Sequence, residues 1–180
     1  PILGIFMAMF SGSLSGFCTA FLQTTLGIES ILAGIIVNTG LYTINLAVMG
    51  FSSNLSIFGT DTVFTLFAGE NPFLSEWGTL ILLLLILLLV AFILRWFFGT
   101  GLGLSIRATG DSPAMVRASS INPAFTITVG LCLSNALTGL SGSLIAQYNK
   151  ASDINLGNGM VTVALASLVI GETLFGKRKL

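Results

Sequence analysis

The chain has 180 residues, 54% of them hydrophobic and 8% charged, with a mean hydropathy of +0.98. A soluble domain carries about a quarter charged residues, so this is a membrane protein. Lys plus Arg and Asp plus Glu number 7 each, which leaves zero net charge and no basic field to attract a phosphate backbone, and a nucleic-acid partner is excluded.

Apolar runs predict five membrane spans, at residues 1–22, 30–50, 77–98, 125–148 and 159–175. Each is long enough, or nearly so, to cross roughly 30 Å of hydrocarbon at about 1.5 Å per residue. The expected fold is all-α, a polytopic transmembrane helical bundle forming one domain over residues 1–180. In the first span Gly12, Gly16, Thr19 and Gln23 recur at helical spacing, a face that lets another backbone approach closely. Cys18 in this span and Cys132 in the fourth are expected to be small buried hydrophobes. With no His in the chain, neither a metal-ligand set nor a disulfide framework can be assembled. Asn38 and Asn45 in the second span lie seven residues apart and share a face. The third span contains LILLLLILLLVAFIL, an unbroken apolar run that suits a helix facing lipid. The fourth carries Asn135, Thr138 and Gly142 beside Ser134 and Ser141.

Two uses compete for these small and polar stripes: close packing with interhelical hydrogen bonds, or a water-filled path touching a polar solute. Asn38, Asn45 and Asn135 are the candidates for that path. Among ionisable groups Glu172, near the inner end of the last span, comes nearest to a span interior, and it is equally open to pairing with Lys177.

Short loops rich in Lys and Arg stay cytoplasmic. Alternating spans place Arg95, Arg107, Arg117, Lys177, Arg178 and Lys179 on one side and only Lys150 on the other. Residues 51–76 hold Asp61, Glu70 and Glu76 but no Lys or Arg, as expected of an exterior loop. A chain that opens inside an apolar run and stops after one basic cluster is expected to be a piece of a longer protein.

The cytoplasmic stretch GTGLGLSIRATGDSPAMVRASSINP, residues 99–123, has phosphate-loop glycines in appearance only. No strand precedes them and no Gly-Lys-Ser/Thr ending follows, so the chain binds no nucleotide itself and no cofactor is expected. A short helix over residues 113–119 is predicted instead. Ser112 is a good N-cap, Pro113 suits the first helical position, and Asp111 sits where the helix dipole favours an anion. Met115 and Val116 give this helix an apolar side, with Arg107 and Arg117 near it, as in an element that docks into a partner.

The segment RATGDSPAMVRASSIN resembles the cytoplasmic signature of ABC importer permeases of the branched-chain amino acid and ribose type. There an Arg-Ala-x-Gly-x-Asn/Asp segment leads into a short helix ending in Ala-Arg-x-x-Gly-Ile-Asn. The stretches LQTTLGIESILAGIIVNTGLYTINLAVMG and LSNALTGLSGSLIAQYNKASDINLGNGMVTVALASLVIGE are similar to the uncharacterised solute permease subgroup, some members of which are linked to aromatic amino acid uptake. The resemblance implies a permease of the inner membrane, embedded in lipid, that pairs with a second permease copy. It also implies an extracytoplasmic solute-binding protein that delivers solute, and a cytoplasmic ATP-binding subunit that binds the ATP. By the same resemblance the helix after Ser112 is a coupling helix seated in a cleft of the ATPase, with Arg107, Gly110, Asp111, Pro113, Met115, Val116 and Arg117 as the coupling residues. One departure is plain: Ser119-Ser120 stands where the family has Leu-Gly, which removes the glycine suited to a left-handed helix end.

The alternative class, a secondary transporter or channel, would call for an inverted repeat or a mid-span carboxylate, and the sequence has no clear case of either. A membrane enzyme would need a convergent set of catalytic groups, and the commonest base is absent with His.

Overall fold

In the computed structural model, residues 1–68, 72–155, 157 and 159–175 are described. The helices are α1 Ile2–Thr25, α2 Ser30–Val48, α3 Val63–Ala68, α4 Pro72–Phe98, α5 Gly101–Asp111, α6 Pro113–Ala118, α7 Pro123–Asn149 and α8 Met160–Phe175. Two three-residue strands, β1 Asn54–Ser56 and β2 Ala151–Asp153, accompany them. Among the described residues four stretches are long and apolar enough to cross a membrane: Ile2–Thr25, Ser30–Val48, Trp77–Phe98 and Pro123–Asn149. The chain is thus a multi-pass membrane protein. The fifth predicted span is α8, a 16-residue helix of about 24 Å. Residues 177–179 and the side chain of Glu172 lie outside those described.

Helix α4 shows why an all-apolar run crosses the bilayer as a helix: every backbone polar group is satisfied within the segment. Its two tryptophans, Trp77 and Trp96, are nineteen residues apart and both exposed. That spacing corresponds to about 28 Å, so each indole falls at one interface of a hydrocarbon layer of roughly 30 Å.

The tightest packing is between α1 and α7. A Cβ on Gly12 would collide with the backbone of Asn135, one on Gly16 with the backbone of Leu131 and Cys132, and one on Gly139 with that of Ala8. The contacts step by four residues in opposite directions, so the two helices run antiparallel with their backbones in direct contact, as small residues permit in lipid. Thr19 and Ala20 are buried in α1, which places the predicted small-residue face of the first span in this seam. Cys18 is exposed and Cys132 half-buried, so the expectation that both cysteines are buried is corrected. Cys18 lies a helical step of about 100° from Thr19, off the packed face.

The ends of the spans are fixed by short-range chemistry. At one membrane face β1 and β2 pair antiparallel, Asn54 opposite Asp153. The ladder is extended by Ile57 N–H to the Lys150 carbonyl (2.9 Å) and Ile154 N–H to the Ser53 carbonyl (3.0 Å). Helix α3 begins with a reciprocal cap: Thr65 Oγ1 accepts from Thr62 N–H (2.8 Å) and Thr62 Oγ1 from Thr65 N–H (3.2 Å). It is tied to α7 by Gln147 Oε1, which accepts from Val63 N–H (3.0 Å), and by an edge-on contact of Phe64 with Tyr148. The loop before α4 and the loop after α7 are therefore on one side, as an odd number of crossings between α2 and α7 requires, and α5 and α6 are on the other. The Arg and Lys asymmetry makes that second side cytoplasmic.

Candidate functional site

The predicted loop 99–123 is mostly helix. Thr100 Oγ1 accepts from Gly103 N–H (3.3 Å) and caps α5. One glycine of this stretch serves packing: a Cβ on Gly103 would strike the backbone of Phe97 and Phe98, whereas Gly101 and Gly110 face open space. Thus α5 folds back tightly on the end of α4. Sequence reading took residues 99–111 as loop and predicted neither the Thr100 cap nor the packing role of Gly103.

Ser112 caps α6 as predicted, its hydroxyl accepting from Met115 N–H (3.4 Å) with Pro113 in the first turn. The end of α6 is a Schellman turn. Ile121 N–H donates to the Val116 carbonyl (3.2 Å), Ser120 N–H donates to the Arg117 carbonyl (3.1 Å), and Ser120 has φ 60°. Ser120 therefore takes the left-handed conformation at the position where the signature carries glycine, and a side chain there costs about 1–2 kcal/mol. Ser120→Gly is expected to stabilise the purified permease by roughly 0.5–1 kcal/mol, the relief of strain exceeding glycine's extra chain entropy. A thermal melt with no upward shift would refute the strain. Asn122 Oδ1 then caps α7 by accepting from Ala124 N–H (3.0 Å).

One buried link joins this elbow to the spans. Thr109 of α5 and Thr126 of α7, 5% and 2% exposed, place their hydroxyls 2.8 Å apart. Each also reaches a carbonyl of its own helix, Ser105 at 2.7 Å and Pro123 at 2.9 Å. Two protons serve three contacts, so two of the bonds are made at any moment. Sequence reading missed this pair because two threonines seventeen residues apart carry no periodic signal.

Of the coupling residues, Arg107, Gly110, Asp111, Pro113, Met115 and Arg117 are exposed on this elbow, Met115 at 67%. Val116 is 2% exposed and turns inward, which corrects the expectation that it shares an apolar docking side with Met115. Successive helical residues point about 100° apart, so one of the two anchors α6 while the other faces outward.

The path candidates separate. Asn38 and Asn45 are exposed on α2, and Tyr42 shares their face. Asn135 lies in the seam with α1, half-buried, and its Nδ2 donates to the Leu131 carbonyl (3.0 Å). Helix α7 has three faces about 120° apart. Leu131, Cys132 and Asn135 meet α1. Leu133, Leu137, Leu140 and Leu144 line an apolar groove shared with α1 and α4. Ser134, Thr138, Ser141 and Gly142 form the third face and are exposed. Among the described residues no group of three or more His, Cys, Asp or Glu is placed to hold a metal.

The chain is thus a bundle of apolar spans with hydroxyls and amides on open faces, joined at one end by a capped helical elbow. The sequence pattern of the family described as branched-chain amino acid transport system / permease component matches residues 1–177, and the chain belongs to that permease family. It is 35% identical over 177 residues to the tyrosine transport system permease protein of Clostridioides difficile, covering 98% of this chain and 57% of the relative. An uncharacterised protein of Rickettsia prowazekii is 30% identical over 171 residues, covering 95% of this chain and 58% of that protein. The chain thus spans a little over half the length of these curated relatives. No solved structure matches it.

Proposed function

We propose that this chain forms membrane-spanning helices of an ATP-driven importer in the cytoplasmic membrane, moving a small zwitterionic solute of the amino-acid class. The importer is completed by a cytoplasmic ATP-binding subunit, which binds the ATP, a second permease copy and an extracytoplasmic solute-binding protein. The observation that carries the proposal is the elbow of α5 and α6: capped at each junction, tied to α7 through Thr109 and Thr126, and presenting Met115 and Arg117 outward. A chain of this family without a nucleotide-binding motif uses ATP only through contact, and a rigid element tied directly to spans on both sides is where contact transmits force. The open amides Asn38 and Asn45 supply polar groups within a span, and each must hydrogen-bond to water, solute or another helix because an unpartnered amide in hydrocarbon is costly. Within the described spans, polarity limited to amides and hydroxyls suits a zwitterion better than a strongly charged solute. The relative named for tyrosine transport supports the amino-acid class.

The test is reconstitution of the full-length permease in proteoliposomes with its ATP-binding subunit and binding protein, assayed with each of the twenty amino acids. Uptake of at least one is expected, and only with ATP on the ATPase side. Uptake that proceeds on an ion gradient without ATP would assign the chain to a secondary transporter.

A further inference from the structure

At the outer end of α7 a cavity of about 450 Å³ lies between that helix, β2 and the first residue of α8. Its size falls in the range of small-molecule sites, about 300–1,000 Å³. Thr138, Ser141, Ser152 and Asp153 are its polar lining, and Ile145 and Met160 are among its apolar lining. We propose that this cavity is an entry site for an amine-bearing zwitterion, with the Asp153 carboxylate receiving the ammonium group; the proposal rests on the importer reading above and adds the recognising residues.

The chemistry follows from which groups are already engaged. Asp153 closes β2, held opposite Asn54 in the sheet, and its Oδ1 accepts from Asn155 N–H at 2.8 Å. This bond fixes the carboxylate while the second oxygen has no partner among the described residues. Thr138 donates its hydroxyl proton to the Ser134 carbonyl (3.1 Å), so its oxygen is left as an acceptor. The hydroxyls of Ser141 and Ser152 make no bond among the described residues, and each is free to donate. One acceptor charge and two free hydroxyl donors match an ammonium and a carboxylate, and Ile145 and Met160 give the remainder of a solute an apolar surface. Lys150, the basic residue of the same loop, is not part of the lining. Asp153 is exposed, so a solute without an amine gains no charge pairing from it and brings its own carboxylate against it. The cavity reaches Thr138 on the third face of α7, and exposed Ser134 lies one turn before it on the same face.

Asp153→Asn is the decisive variant, because an asparagine oxygen still accepts from Asn155 N–H and keeps the turn while the charge is removed. In the assembled transporter carrying Ser141→Cys, a trimethylammonium methanethiosulfonate is expected to modify Cys at this position about tenfold faster than the sulfonate reagent added from the same side, and Asp153→Asn should abolish that preference. Asp153→Asn alone should raise the KM for uptake of the best-transported amino acid about tenfold. Equal rates for the two reagents, or an unaltered KM, would reduce Asp153 to a turn former and overturn the site. Absence of all amino acid uptake in the unmodified transporter would overturn the importer reading instead, while the reagent rates still decide whether the cavity selects cations.

Discussion

Gly16→Leu is expected to break the packing of α1 on α7 and to cost about 3 kcal/mol, the upper end for overpacking a filled interface. The first atom of any side chain at this position meets the backbone of Leu131 and Cys132. A neighbouring side chain could rotate away, but a main-chain carbonyl moves only if its whole helix moves. The helices would separate by the width of a side-chain layer, and the contacts at Gly12 and Gly139 would be lost with those at Gly16. Gly4 is the internal comparison, since it lies on the same helix with open space where its Cβ would be. In melts of the purified permease Gly16→Leu should lower the midpoint strongly and Gly4→Leu by little. Two similar curves would mean that the seam adds nothing to stability.

Met115→Asp should uncouple the transporter while leaving it in the membrane. Met115 is 67% exposed, so the substitution costs the permease little by itself, and in the assembly proposed above its penalty would arise where the ATP-binding subunit covers the elbow. An aspartate buried there without a partner costs on the order of 1 to 3 kcal/mol of association, and a contact surface this small depends on a few anchors. Uptake and solute-stimulated hydrolysis should fall together, by roughly tenfold or more. Arg117→Glu should weaken the same contact through charge. Val116→Asp is expected to act differently: its side chain is enclosed within the permease, so an acidic group there unfolds the elbow and lowers the melting midpoint as well. Full coupling in both Met115→Asp and Arg117→Glu would show that α6 is a passive connection.

How much of this was legible in the sequence depends on the range of the forces involved. The spans are legible because the bilayer demands long apolar runs, and the start of α6 because Ser112 and Pro113 act within one turn. Helix α5 was not, since Gly101, Gly103 and Gly110 lower local helix propensity and the gain from close approach to α4 is tertiary. The small-residue face of the first span pointed correctly to close packing, whereas the polar residues of α7 were read as one stripe. Asn135 and Thr138 are only three residues apart, yet α1 covers one and leaves the other open, a distinction made by the neighbouring helix. The pairing of β1 with β2, which assembles the Asp153 cavity, joins segments nearly a hundred residues apart and left no trace in local pattern.

The seam between α1 and α7 also limits how the transporter can move. Helices that slide past one another do so through a layer of side chains that change rotamer, each step small and individually cheap. Here that layer is missing at three places along the contact, and each glycine is seated against a carbonyl-bearing stretch of the opposite backbone. A displacement along the axis by less than a full turn would carry a side chain on α1 into the position that only glycine fits. The two helices therefore travel as one strut, and in the importer proposed above a switch between outward-facing and inward-facing states would swing this strut against its surroundings, carrying the hydroxyl-bearing face of α7 with it.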